Sequence, residues 1–122
     1  MIYACDFDKT LSFAPYPDVG SPNMPLIKFL ADARTHGDKV ILWTCRTGEA
    51  LDRAVKFCEG VGLSFDTVND NLPELVELYS NNPRKVNADI YIDDKSIHVD
   101  EFVQRHCKSL GTVRGLRVKR GR

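Results

Sequence analysis

The chain begins with a short apolar run, Ile2 to Cys5, that ends in two carboxylates two positions apart, Asp6 and Asp8, followed by Thr10 and Leu11. In an extended strand residues i and i+2 point the same way, so this stretch predicts a strand that delivers paired acids to its own C-terminal tip. For both acids to meet one ligand the chain has to turn near Asp8, which places a loop from Lys9 onward. Pro15, Pro17 and Gly20, with Phe13 and Tyr16 between them, carry that loop to Ser21.

The rest of the chain repeats the pattern of strand, loop and helix. Ser21 is placed to cap a helix with Pro22 at its first position and an apolar stripe of Leu26, Ile27, Leu30 and Ala33, ending at Gly37. Lys39 to Trp43 is nearly continuously apolar, the pattern of a strand buried on both faces of a parallel sheet, and it ends at Thr44. Thr44-Cys45-Arg46-Thr47-Gly48 then leads into a helix with Leu51, Ala54, Val55 and Cys58 on one face, closed by Gly60 and Gly62. A third strand is predicted over Phe65 to Val68. Asn71 is placed to cap a helix through Tyr79, with Pro73 in the first turn and Glu74 at capping-box spacing. A fourth strand, Ala88 to Ile92, ends in Asp93 and Asp94; a helix over Asp100 to Cys107 and an edge strand near Thr112 to Val118 finish the chain. Strands alternating with helices predict an α/β fold, a doubly wound parallel sheet in three layers. With 122 residues the chain reads as a single domain, 1–122, able to bury about two thirds of its unfolded surface.

Composition narrows the function classes. No window approaches ~18 apolar residues and the N-terminus runs directly into a strand, so a soluble, cytoplasmic protein is expected. Cys5, Cys45, Cys58 and Cys107 form no CxxC pair, and three lie in apolar segments, which predicts reduced buried thiols rather than disulfides or a zinc site. His36, His98 and His106 have no ligand spacing and are expected on the surface near helix ends. Seventeen bases balance seventeen acids, but the seven bases after Glu101 have no acid among them. The basic segment 105–122 reads as a terminal strand that offsets an acidic body, or as a footprint for nucleic acid.

The chemistry-bearing residues all fall at strand C-termini, where ligands of doubly wound sheets bind. In the order 3-2-1-4-5 the first and fourth strands are neighbours, and Asp6, Asp8, Asp93 and Asp94 converge. Each close like-charge pair repels by roughly 1–4 kcal/mol at effective dielectrics of 80 down to 20, so the cluster calls for a cation. An all-oxygen donor set favours magnesium over zinc.

The ordered set of motifs resembles the haloacid dehalogenase (HAD) superfamily. Asp6-Phe7-Asp8-Lys9-Thr10-Leu11 is similar to its first motif, DxDx(T/V)L; Thr44 after an apolar strand resembles the second, Lys85 the third, with Arg84 adjacent as the alternative, and Asp93-Asp94 the fourth. The short inserts resemble the capless members. The resemblance implies a magnesium-dependent phosphohydrolase in which Asp6 attacks phosphorus and Asp8 serves as acid and then base. Thr44 would hold a phosphoryl oxygen, and Lys85 would offset charge there. Magnesium would sit on Asp6, the Asp8 backbone carbonyl and Asp93, with Asp94 as a further ligand or a supporting partner. Members that attack carbon lack the acid at position 8. Arg46 either grips a second anionic group of the substrate or makes a structural salt bridge, and Phe13 and Tyr16 either line the mouth or pack the loop. The substrate is a phosphorylated small molecule or nucleic-acid end, and an oligomer neighbour is one way to cover the open site. The rival readings are a polynucleotide end-phosphatase, a non-catalytic binding module using its basic tail, and a receiver domain. The last would need its acceptor at Val68-Asn69-Asp70.

Overall fold

The computed structural model describes residues 1–107 and the backbone pairing of 112–113 and 116–117, so most of the segment 105–122 lies outside the described residues. The elements run β1 (Ile2–Cys5), α1 (Met24–Thr35), β2 (Lys39–Leu42), α2 (Gly48–Gly60), β3 (Thr67–Val68), α3 (Pro73–Tyr79), β4 (Ile90–Ile92), α4 (Val99–His106), β5 (Thr112–Val113) and β6 (Leu116–Arg117). Four strands make one all-parallel sheet in the order β3-β2-β1-β4, flanked by helices in a Rossmann-like layout. The expected fifth strand does not extend this sheet among the described residues. Thr112–Val113 pairs instead antiparallel with Leu116–Arg117, as a ribbon of its own.

The central strands β1 and β2 are buried on both sides, which is why they read as apolar runs rather than alternating ones. Alternate residues enter two different cores. Tyr3, Cys5, Val40 and Leu42 pack with Ile27, Leu30 and Ala33 of α1 and with Ala54 and Cys58 of α2. Ala4 and Ile41 pack with Leu72 and Val86, and the partly buried Ile2, Trp43, Leu75 and Ala88 join them. Burial pushes the thiols of Cys5 and Cys58 up to about 12, which keeps both protonated and unreactive. Cys45, by contrast, is exposed.

Two helix starts differ from the sequence reading for the same reason: the expected cap is employed elsewhere or shaped wrongly. Ser21 sits at φ 46 and does not cap α1. Asn23 does so, accepting from the Leu26 N–H at 3.4 Å while its amide donates to the Thr10 carbonyl at 2.9 Å, and Pro25 rather than Pro22 lies in the first turn. Asn71 does not cap α3 either. It is buried, donating to Asn82 Oδ1 and the Pro83 carbonyl and accepting from the Asn87 N–H, so it staples the α3–β4 loop and leaves Leu72 at the helix N-cap.

Asp66, just before β3, ties three elements together. It takes two hydrogen bonds from the Arg34 guanidinium (3.1 and 2.8 Å) and one from the Val40 N–H at 2.7 Å. Burial works against its charge, but those donors outweigh it and hold the carboxyl below the usual range. Asp66→Ala should cost about 1–2 kcal/mol in urea unfolding, since Arg34 is part-exposed and can rehydrate while the buried Val40 amide is left without a partner. No loss of stability would mean the pair contributes nothing.

Candidate active site at the strand tips

The turn that ends β1 is built from the backbone. The Phe7 carbonyl accepts from the N–H groups of Thr10, Leu11 and Ser12, and Lys9 takes the left-handed region at φ 59, so the chain reverses immediately after Asp8. Ser12 closes the following loop, its hydroxyl bonded both ways to Gly20 at 2.8 and 3.0 Å. β1 therefore ends in a fixed elbow rather than a trailing strand.

Asp6 meets Asp93 and Asp94 across the β1–β4 boundary, with one carboxylate oxygen from each within 4.8 Å of the others. The Asp6 N–H donates to the Ile92 carbonyl at 2.9 Å, which sets that register. Desolvation, with the charges of Asp93 and Asp94 adding to it, pushes Asp6 up to about 6. Burial would raise Asp93 too, but the hydrogen bond from the Lys95 N–H (3.1 Å), with the nearby Asp94 and Ser96 polar groups adding to it, outweighs it and holds Asp93 below its ordinary value. Asp93, favoured in its charged form, beside Asp6, which resists charging, is the electrostatic situation a divalent cation relieves, and the donors are hard oxygens. Asp6, Asp93 and Asp94 could thus hold a divalent cation, and their donor chemistry suits magnesium.

Asp8 does not join this cluster, contrary to the expected convergence of four acids. Its carboxylate is held by Arg46 through two hydrogen bonds, Nε to Oδ2 at 2.9 Å and Nη2 to Oδ1 at 2.7 Å. Nor does Arg46 reach for substrate. It is 1% exposed, lies over the rings of Phe7 (4.7 Å) and Tyr16 (5.1 Å), and uses its remaining donors on the carbonyls of Pro17, Asp18 and Ala50. All five guanidinium N–H groups are thereby engaged, and the substrate-binding alternative for Arg46 gives way to the structural one. Tyr16 belongs to the same arrangement, while Phe13 is exposed.

Thr44 stands at the tip of β2, half-buried, and its Oγ1 accepts from the Arg46 N–H at 3.1 Å. That leaves the hydroxyl proton to donate elsewhere. The Thr44 N–H donates to Asn69 Oδ1 at 2.8 Å, so Asn69, at φ 53 just past β3, positions the threonine loop. Sequence reasoning missed Asn69; an asparagine directly after a strand, suited to a left-handed turn, was the available signal. Lys85 is exposed, its Nζ 5.6 Å from the Tyr91 ring centroid, and it lines an open cleft that also includes Trp43, Tyr91 and Asp93. Arg84 is exposed as well and does not line that cleft. His36, His98 and His106 are exposed at helix ends, as expected.

The raised Asp6 carboxyl has a measurable consequence. Between about pH 4 and about pH 6 the fold keeps a proton that the unfolded chain has released, so this group's contribution to stability falls as pH rises through that window. Magnesium removes the penalty only where Asp6 is ionised. The rise in Tm on adding magnesium should be larger at about pH 7.5 than at about pH 5. An equal rise at both would sever Asp6 from the cation.

A conserved protein from Bacteroides thetaiotaomicron has a solved structure that superposes on this chain with a TM-score of 0.69, at 31% sequence identity, over 92% of this chain and 93% of that one. The two chains belong to one family. No family model matches the sequence, and no curated protein does. Since the alignment with that family member spans nearly both chains, the strand-tip site falls within a shared fold rather than in an appendage. Among the described residues no helix is long and apolar enough to cross a membrane.

Proposed function

We propose that this protein is a magnesium-dependent phosphohydrolase of the HAD type, a three-layer, capless member that cleaves a phosphate monoester through an aspartyl-phosphate on Asp6. The observation that carries the reading is the meeting of Asp6, Asp93 and Asp94 at adjacent strand tips, with the Thr44 hydroxyl on the next strand over. The short connections support it, since residues 69–72 between β3 and α3 leave no room for a cap domain.

Asp6 is the nucleophile, its carboxylate oxygen attacking phosphorus while the leaving oxygen takes a proton from Asp8. Asp8 then removes a proton from the water that cleaves the acyl-phosphate. Arg46 fixes the Asp8 carboxylate by one hydrogen bond per oxygen, which leaves a second lone pair on each for proton transfer. Thr44 donates its hydroxyl to a phosphoryl oxygen, and Lys85 offsets charge from the cleft side. When bound, magnesium supplies positive charge to Asp6 and the phosphoryl oxygens.

The test is a phosphate-release screen with and without magnesium over nucleotides, sugar phosphates and oligonucleotides phosphorylated at either end. Magnesium-dependent release from at least one class is expected. Magnesium binding with no release from any would favour a binding module that keeps the site without turnover.

A further inference from the structure

The cleft beside Asp93 has a volume of about 760 Å³, within the ~300–1,000 Å³ typical of small-molecule sites. A second cavity, of about 210 Å³ and edged by Asn71 and Tyr79, is smaller than that range, and both N–H groups and the oxygen of its Asn71 side chain already have partners. The larger cleft is continuous with the carboxylate cluster through Asp93, so whatever fills it adjoins Asp6 and Asp94.

Strand register decides which side chains share this face. Cys5 pairs with Leu42 and Ile92, so one step further Asp6, Trp43 and Asp93 stand side by side, and by alternation they share a face with Ala4, Ile41 and Tyr91. The Trp43 N–H donates to the Cys5 carbonyl at 2.8 Å, which fixes the tryptophan at the level of Asp6. The Tyr91 hydroxyl donates to the Val86 carbonyl at 2.6 Å, which pins a ring that is 39% exposed. Ile90 and Ile97 add apolar wall. The polar lining is Lys85, Asp89, Asp93, Ser96 and His98, whose Nδ1 accepts from the Asp100 N–H.

We propose that this cleft binds the base of a nucleotide whose phosphate lies at Asp6, so that the substrate is a nucleoside monophosphate or a phosphorylated strand end. The proposal rests on the phosphohydrolase reading for the phosphate end only. Two aromatic side chains and a lysine ammonium suit a flat π system, by stacking and by cation–π attraction. A sugar phosphate would use the polar lining but leave the Trp43 and Tyr91 ring faces uncovered, which a base would cover. The charges of Lys85 and Asp93 disfavour an aliphatic chain.

Trp43 is the only tryptophan in the chain, so intrinsic fluorescence reads this cleft directly. The full chain is titrated with adenosine, AMP, a 5′-phosphorylated dinucleotide and ribose 5-phosphate in the presence of magnesium. Saturable quenching by adenosine and AMP but not by ribose 5-phosphate is expected, and tighter binding of the dinucleotide than of AMP would identify a strand end as the source. Tyr91→Leu, and independently Ile97→Asp at an exposed loop position, should each weaken AMP binding, the former roughly 5- to 150-fold, the range of lost base–aromatic stacking. Absence of quenching by both adenosine and AMP, or equal quenching by ribose 5-phosphate, overturns the proposal. Quenching by adenosine without phosphate release from AMP sustains the cleft and removes the phosphohydrolase reading. Release from sugar or aryl phosphates, with nucleotides neither bound nor competing, does the reverse.

Discussion

Asp6→Asn should abolish phosphate release on every substrate, whereas Asp8→Asn, two residues away, should leave a residue of activity that depends on the leaving group. The amide at position 6 removes the nucleophile and one of three clustered carboxylates, so no acyl-phosphate can form. The amide at position 8 removes acid and base assistance, typically worth ~10²- to 10⁴-fold. Its penalty should shrink for an aryl phosphate, whose leaving oxygen needs little protonation. Hydrolysis of the intermediate still needs a base, so rapid mixing should show a burst of product followed by slow turnover. Substantial activity in Asp6→Asn would sink the mechanism. A penalty at Asp8 independent of the leaving group would show that Asp8 matters only through its bonds to Arg46.

Arg46→Met should destabilise the fold by about 3–5 kcal/mol, the usual cost of breaking a buried ion pair from one side. The arithmetic here is unusual for a surface loop. One side chain, 1% exposed, joins the β1 elbow, the carbonyls of Pro17 and Asp18, and the Ala50 carbonyl of α2. Asp8 is a third exposed and can rehydrate, and the Pro17 carbonyl keeps Arg53 as a donor, so much of the loss comes from the hydrogen bonds to Asp18 and Ala50 and from the two ring contacts. Arg46→Lys should recover only part of it, because one ammonium cannot meet five acceptors in a planar fork. Urea unfolding of both variants gives the comparison. A cost below about 1 kcal/mol for Arg46→Met would mean that the loop collapses onto the vacated space and the pair is dispensable.

The elements legible from the sequence were those whose signal is local. β1 and β2 were readable because strands buried on both sides are continuously apolar, and α1 and α2 because their buried stripes repeat at helical spacing. The pairing of Asp6 with Asp93 followed from placing the first and fourth strands together. What misled were residues with two possible employments. Ser21 and Asn71 carry side chains suited to helix caps, yet one sits at φ 46 and the other is occupied by Asn82, Pro83 and Asn87. A capping pattern records what a side chain is able to do, and a partner 16 residues away in Asn87 is invisible to it.

From the amino-acid order alone came the alternation of strands and helices, the acids at strand tips and the chemistry that such donors suit, because each depends on residue type and short-range period. The division of labour among those acids was decided only in three dimensions. Asp6 and Asp8 lie two positions apart and look alike in sequence, but the turn at Lys9 and an arginine 38 positions beyond Asp8 send the second carboxylate to Arg46 while the first meets Asp93 and Asp94. Charge neutralisation is a tertiary property: it is set by which opposite or like charge lies within a few ångströms, and neither motif spacing nor periodicity carries that distance.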